Sequence, residues 1–265
     1  MSHSLRPECA TYLFSGKEGS TSLQWMHLIG AWAGLGTRIP TLNGYSGQWA
    51  PGWPFIDIGI ANRFDRVRLY EGIRTWMLSH STQIGNVCWI TPGEPRADLI
   101  RREDLNRDVF TLRRMYLALL GRLPKESEWN SQARPEGLVR SVMASPEFQD
   151  RERFVFTGYR SLYARDPSLP VWLSAVEDLG AHRKSRQQLV EEWQHSDQCR
   201  TSKSCSGVAP VDVIRRASGD LSPEETEHDS RVLLYYCLLQ RAPIASDVND
   251  RPNWLRSLLR QSELN

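Results

Sequence analysis

The chain predicts an α+β protein built from two modules: a small α/β parallel-sheet module over residues 1–95 and an all-α helical-repeat module over residues 96–265. Three observations predict it. In the N-terminal module short apolar runs alternate with stretches of helical periodicity, the order of strand–helix–strand units. In the C-terminal module a single phrase returns three times, as Tyr116…Arg122-Leu-Pro124, Tyr159…Arg165-Asp-Pro167 and Tyr235…Arg241-Ala-Pro243. Between the modules, Thr91-Pro-Gly-Glu-Pro95 has the composition of a domain boundary.

Tyr12-Leu-Phe14 reads as a short strand, followed by polar Gly16-Lys-Glu-Gly19. From about Ser22 a helix carries Leu23, Met26, Ile29, Gly30 and Ala33 on one face and stops at Gly34 to Gly36. Ile39-Pro-Thr-Leu42 is the next strand, and Asn43 to Pro54 a loop rich in glycine and aromatic residues. A second helix spans about Asn62 to His80, with Phe64, Val67, Tyr70, Ile73 and Met77 at helical spacing; Asn86-Val-Cys-Trp-Ile90 closes as a buried strand. Three strands are few for a doubly wound domain, so the module is small or truncated.

The repeats span about 108–148, 151–199 and 229–264, with a polar linker at 200–228 that a short helix around Val211 to Ala217 interrupts. In each copy an apolar helix ends at Arg-x-Pro, because proline cannot continue it. Five residues past the proline stands Trp129, Trp172 or Val248. A second helix follows with the pairs Leu138/Val142, Leu189/Trp193 and Leu255/Leu259, each one turn apart, then Ser145, Ser196 or Ser262. Tyr116, Tyr159 and Tyr235 are expected as half-buried anchors with the hydroxyl at the rim. Arg122, Arg165 and Arg241 are expected to satisfy carbonyls at helix ends and pack on aromatic rings, ahead of any role with an anionic ligand. The serines read as caps, ahead of a phosphorylation or docking role for Ser145-Pro-Glu-Phe148.

The candidate ligand site is the Asn43–Pro54 loop, which follows a strand where open parallel sheets take their ligands. Tyr45, Trp49 and Trp53 offer flat apolar faces, and Asn43 and Ser46 offer hydrogen bonds, a mixture suited to a sugar ring. The alternative is a tight loop whose tryptophans cover the sheet edge. Gly44-Tyr-Ser-Gly47 lacks the closing glycine of a nucleophile elbow, so a serine hydrolase is disfavoured and no catalytic residue is assigned. His195, Cys199 and Cys205 come closest to a metal set but lack paired Cys-x-x-Cys spacing, so no metal and no cofactor is expected. Cys199 and Cys205 would pair in an exported chain; Cys9 and Cys88, in or beside predicted strands, read as ordinary buried thiols. A net charge of +2 makes no case for nucleic acid. The Leu23–Leu35 stretch, interrupted by Gln24 and His27, is too short to span a membrane. As written, with no secretory signal in its first residues, the chain reads as cytoplasmic, and as periplasmic or cell-envelope if it belongs to a longer protein.

Two resemblances add to this reading. Leu119-Leu-Gly-Arg-Leu-Pro124, Trp129 and Ser145-Pro-Glu-Phe148 resemble a bacterial domain family of unknown function related to phycobilisome linker domains, over roughly residues 108–265. The second copy departs from the pattern at Tyr163-Ala, and the third lacks the tryptophan, which makes it a capping unit. Ile39-Pro-Thr-Leu-Asn-Gly-Tyr-Ser-Gly47 with Ala50-Pro-Gly-Trp53 is similar to a segment in the soluble C-terminal region of bacterial membrane glycosyltransferase-like proteins, over roughly residues 9–95. The first resemblance implies a non-catalytic interaction or scaffold protein with a protein partner. The second implies an accessory component of a cell-envelope glycosyltransferase contacting glycan or lipid-linked sugar.

Overall fold

A computed structural model describes residues 8–17, 23–44, 53–80, 85–91, 97–128, 134–200, 205, 207–219, 222–244, 247 and 254–264. The fold is α+β, and the chain divides into two compact units, Met1–Ser131 and Gln132–Asn265.

The first unit contains strands β1 (Cys9–Phe14), β2 (Gly16–Lys17), β3 (Gly59–Ile60), β4 (Asn86–Ile90) and β5 (Asp98–Ile100), and helices α1 (Leu23–Thr37), α2 (Arg63–Ser79) and α3 (Arg107–Leu120). Its main sheet has the order β1-β4-β5, and a second small sheet pairs β2 with β3. Tyr12, Leu13, Val87, Cys88 and Trp89 are all buried, so β1 and β4 read as continuous apolar runs without alternation. The sheet is mixed, which corrects the parallel expectation: β1 runs parallel to β4, but β5 runs antiparallel to it. The chain returns from β4 to β5 without a crossover, and a direct return is antiparallel.

The strand expected at 39–42 is a single parallel bridge from Thr41 to Tyr12. Pro40 accepts from Tyr12 N at 3.2 Å but has no N–H to donate onward, and the pairing stops. α2 starts as its sequence predicts, with Asn62 and Asp65 forming a capping box. Arg63, 2% exposed, donates to Leu119 O at 2.7 Å and so caps the far end of α3.

The first unit also extends past the boundary expected at 91–95. β5 pairs with β4, and α3 packs on α2 through a Tyr70–Phe110 stack at 5.1 Å and an Arg114–Glu71 ion pair. The first helix of the first sequence repeat therefore belongs to the N-terminal unit. Cys9 and Cys88 are joined in a disulfide that ties β1 to β4, with Cα atoms 5.5 Å apart, correcting the free-thiol expectation.

The second unit is helical among its described residues: α4 (Pro135–Met143), α5 (Pro146–Phe148), α6 (Phe154–Tyr163), α7 (Leu169–Gly180), α8 (Arg186–His195), α9 (Asp197–Arg200), α10 (Pro210–Ala217), α11 (Pro223–Leu234) and α12 (Trp254–Leu264). π turns at Gln149–Arg153 and Tyr235–Leu239 link α5 to α6 and extend α11. Val155, Phe156, Leu162, Trp172, Val176 and Val190 are buried at its centre. The stretch expected as a linker, 200–228, contributes structure instead: Val213 and Ala217 of α10 are buried, and Ser222 opens α11 with a capping box to Glu225. Cys199 and Cys205 form a second disulfide, and Cys237, which belongs to neither disulfide, is buried.

Candidate functional site

Asn43 is placed for structure. It is buried, its Oδ1 accepts from Phe14 N at 2.7 Å and Thr41 Oγ1 at 3.0 Å, and its Nδ2 donates to Phe14 O at 2.7 Å. The side-chain amide thus continues the ladder on β1 after the backbone bridge at Thr41 has ended. Gly30 makes room for it: a Cβ there would lie 2.6 Å from the Asn43 amide carbon. Both accepting positions of Oδ1 and one of the two Nδ2 hydrogens are thus used within the fold. Trp53 sits edge-on to Phe55, ring centroids 5.6 Å apart, and its indole N–H is buried without an acceptor among the described residues. Tyr45, Ser46 and Trp49 lie outside the described residues.

Nearby, Trp89 Nε1 donates to Ser15 Oγ at 2.7 Å, and Ser15 and Thr91 hydroxyls meet at 3.2 Å. These buried groups stand at the C-terminal ends of β1 and β4 and satisfy one another.

The repeat residues fall into a common local geometry. Each first helix ends on a left-handed residue immediately before its arginine: Gly121 (φ 70°), Ala164 (φ 53°) and Gln240 (φ 54°). Arg122 then donates to Leu123 O at 3.1 Å and to both oxygens of Glu128 at 2.8 Å, while Lys125 N donates to the same carboxylate at 2.8 Å. In the third copy Arg241 donates to Ala242 O at 3.0 Å and to Asp247 at 2.7 Å, while Ile244 N donates to Asp247 at 2.8 Å. The two loops match atom for atom at positions one, three and six past the arginine. The second copy breaks the match because Val171 occupies the carboxylate's place, and Arg165 is exposed. Hydrogen bonding to Arg122 holds the Glu128 carboxyl down at about 2, and Arg241 lowers Asp247 likewise. Two of the three arginines are therefore committed to the loop that follows each helix, bonding the next residue's carbonyl and a carboxylate six residues on. Their carboxylate partner six residues on is visible in the sequence, but only the structure shows that it belongs to the motif.

Tyr116, Tyr159 and Tyr235 are buried as anchors; Tyr235 lies beneath the Arg241 guanidinium, 5.0 Å from the ring centroid. Trp172 is fully buried and donates to Glu152 O at 3.1 Å. Trp129 and Val248 lie outside the described residues. Ser145, Ser196 and Ser262 each donate to the carbonyl three residues back, at 2.6, 2.7 and 2.8 Å, and the first two also accept from a following backbone N–H.

Among the described residues no group of three His, Cys, Asp or Glu side chains could hold a metal ion. Cys199 and Cys205 are consumed by their disulfide, and His195 Nδ1 lies 2.6 Å from Glu191 O. Among the described residues no helix is long and apolar enough to cross a membrane.

One concavity in the second unit was not foreseen. A cleft of about 700 Å³ lies among α4, α5, α11 and α12. Phe148, Met143, Leu233, Leu234, Trp254 and Leu255 line it together with Arg140, Arg153, Glu227, Ser230 and the buried Asp229. Periodicity marks these residues as apolar or polar faces, but only the packing of the four helices brings them to one place. No family model, no curated protein and no solved structure matches the chain.

Proposed function

We propose that the chain is a non-catalytic interaction or scaffold protein whose C-terminal module is built on linker-like helical repeats and seats a helical segment of a partner protein in the α4–α12 cleft. The observation that carries this reading is the cleft itself: apolar side chains of four helices line it together with Arg140, Arg153 and Glu227, and its buried acid, Asp229, is bonded to Arg160 and Thr157, a composition suited to a helix-in-groove interface. The repeat chemistry supports it. The residues that recur most regularly are spent on local loop and cap contacts, which build a frame for binding. Two disulfides support a setting outside the reducing cytosol, in the periplasm or the cell envelope. The glycan-contacting alternative rests on Asn43, Tyr45, Ser46, Trp49 and Trp53, of which Asn43 is already bonded to Phe14 and Thr41.

The test uses the full chain, immobilised, against extract of its own organism. Met143→Glu and Leu255→Glu, which place charge in the cleft, should each eliminate a stoichiometric partner that the parent chain retains. Retention of the same partner by both variants would overturn the reading.

A further inference from the structure

The charges that line the α4–α12 cleft do not balance. Its two carboxylates each have an arginine of their own: Asp229 is bonded to Arg160, and Glu227 Oε1 accepts from Arg231 Nη2 at 3.0 Å. Neither of these arginines lines the cleft. The two that do, Arg140 and Arg153, pair with no carboxylate among the described residues. Arg153 gives Nη1 to Gln149 Oε1 and Nη2 to Gly219 O at 3.1 Å, both neutral acceptors, and its Nε is buried without an acceptor. Arg140 is exposed, and its guanidinium has no hydrogen bond among the described residues. The remaining polar lining, Gln149, Thr226 and Ser230, is neutral.

This imbalance selects the occupant. A guanidinium stays protonated at any physiological pH, and a neutral acceptor satisfies its hydrogens without cancelling its charge. A segment that covers the cleft strips water from both cations and lowers the local dielectric. With a neutral or basic flank it would seal two uncompensated positive charges beneath it, at a desolvation cost. With carboxylates it meets them by attraction that grows as water leaves.

We propose, on the reading of this cleft as a groove for a partner helix, that its occupant is an acidic amphipathic segment. Apolar residues one turn apart enter between Met143 and Leu255, and Asp or Glu on the flank meets Arg140 and Arg153.

Fluorescence anisotropy of the full chain with three labelled peptides tests it. Each peptide is held helical by a side-chain cross-link and carries leucine at i, i+3, i+4 and i+7, with glutamate, glutamine or lysine at the other positions. The glutamate peptide should bind at least about tenfold more tightly than the glutamine peptide, and the lysine peptide most weakly. Raising sodium chloride from about 50 to about 500 mM should erase most of that preference. Arg140→Gln breaks no internal contact, so it should reduce the preference at an unchanged melting temperature. Arg153→Gln should reduce it further; should that variant fold poorly, Arg140→Gln and the salt series decide. Equal affinity for the three peptides, weakened throughout by Leu255→Gln, overturns the acidic occupant and leaves the groove standing. A preference for glutamate that both arginine variants keep also overturns it, since the attraction would then lie elsewhere. Binding of no peptide, or binding that Leu255→Gln leaves untouched, overturns the groove itself and this proposal with it.

Discussion

Replacing Asn43 by alanine strips Phe14 of both hydrogen bonds at a buried position, leaving an N–H and a C=O unpaired. A loss of about 2–4 kcal/mol is expected, read as a lower urea midpoint. Gly30→Ala reaches the same contact from the opposite side, driving a methyl group into the amide, and should cost a similar amount. Because both act on one contact, the double variant should lose less than the sum. Additive losses would show that the amide and the glycine do not depend on each other. Glu128 supplies a pH test. Its folded pKa of about 2 lies below its ordinary 4.5, so its contribution is complete above about pH 4.5 and fades as pH falls toward 2. With solvent screening, the parent should lose about 1 kcal/mol more than Glu128→Gln between pH 5 and pH 2.

Among the elements, the three helix ends form an internal mutational series. Ala164 and Gln240 hold left-handed backbone that glycine occupies without steric cost. Ala164→Gly and Gln240→Gly should therefore each stabilise the chain by about 0.5–1 kcal/mol, whereas Gly121→Ala should destabilise it by about 1 kcal/mol. Thermal melts of the three variants check the signs. These ends also show what the sequence made legible. Arg-x-Pro announces where a helix must stop, and α2 announces its start through Asn62 and Asp65, because both are short-range chemistry. β5, at three residues, is too short to show a period, and Pro40 limits the strand expected at 39–42 to one bridge. For the candidate loop, residue type alone did not reveal that Asn43 faces Phe14 in place of solvent. The cleft was invisible for a different reason: its lining comes from helices far apart in the chain, and their pairing is a property of packing.

For the whole molecule, two units with separate cores and one internal disulfide each should respond differently to reduction. In the chain-entropy picture the Cys9–Cys88 link, spanning 79 residues, contributes about 4–5 kcal/mol, and Cys199–Cys205, spanning 6, about 2 kcal/mol. Reductant should lower the melting transition of the first unit well before that of the second. Hydrogen exchange under increasing dithiothreitol distinguishes the two, with amides of β1 and β4 exposed first. Equal loss in both units would mean that the long link contributes no more than the short one.

The order of the cysteines along the chain has a consequence for biosynthesis. The next cysteine along the chain after Cys9 is Cys88, and that is its native partner. Cys199 then meets Cys205 six residues later, and the one odd thiol, Cys237, arrives last and is folded into the interior. Pairing neighbours in chain order already yields this connectivity, so oxidation that takes these cysteines in turn needs no reshuffling.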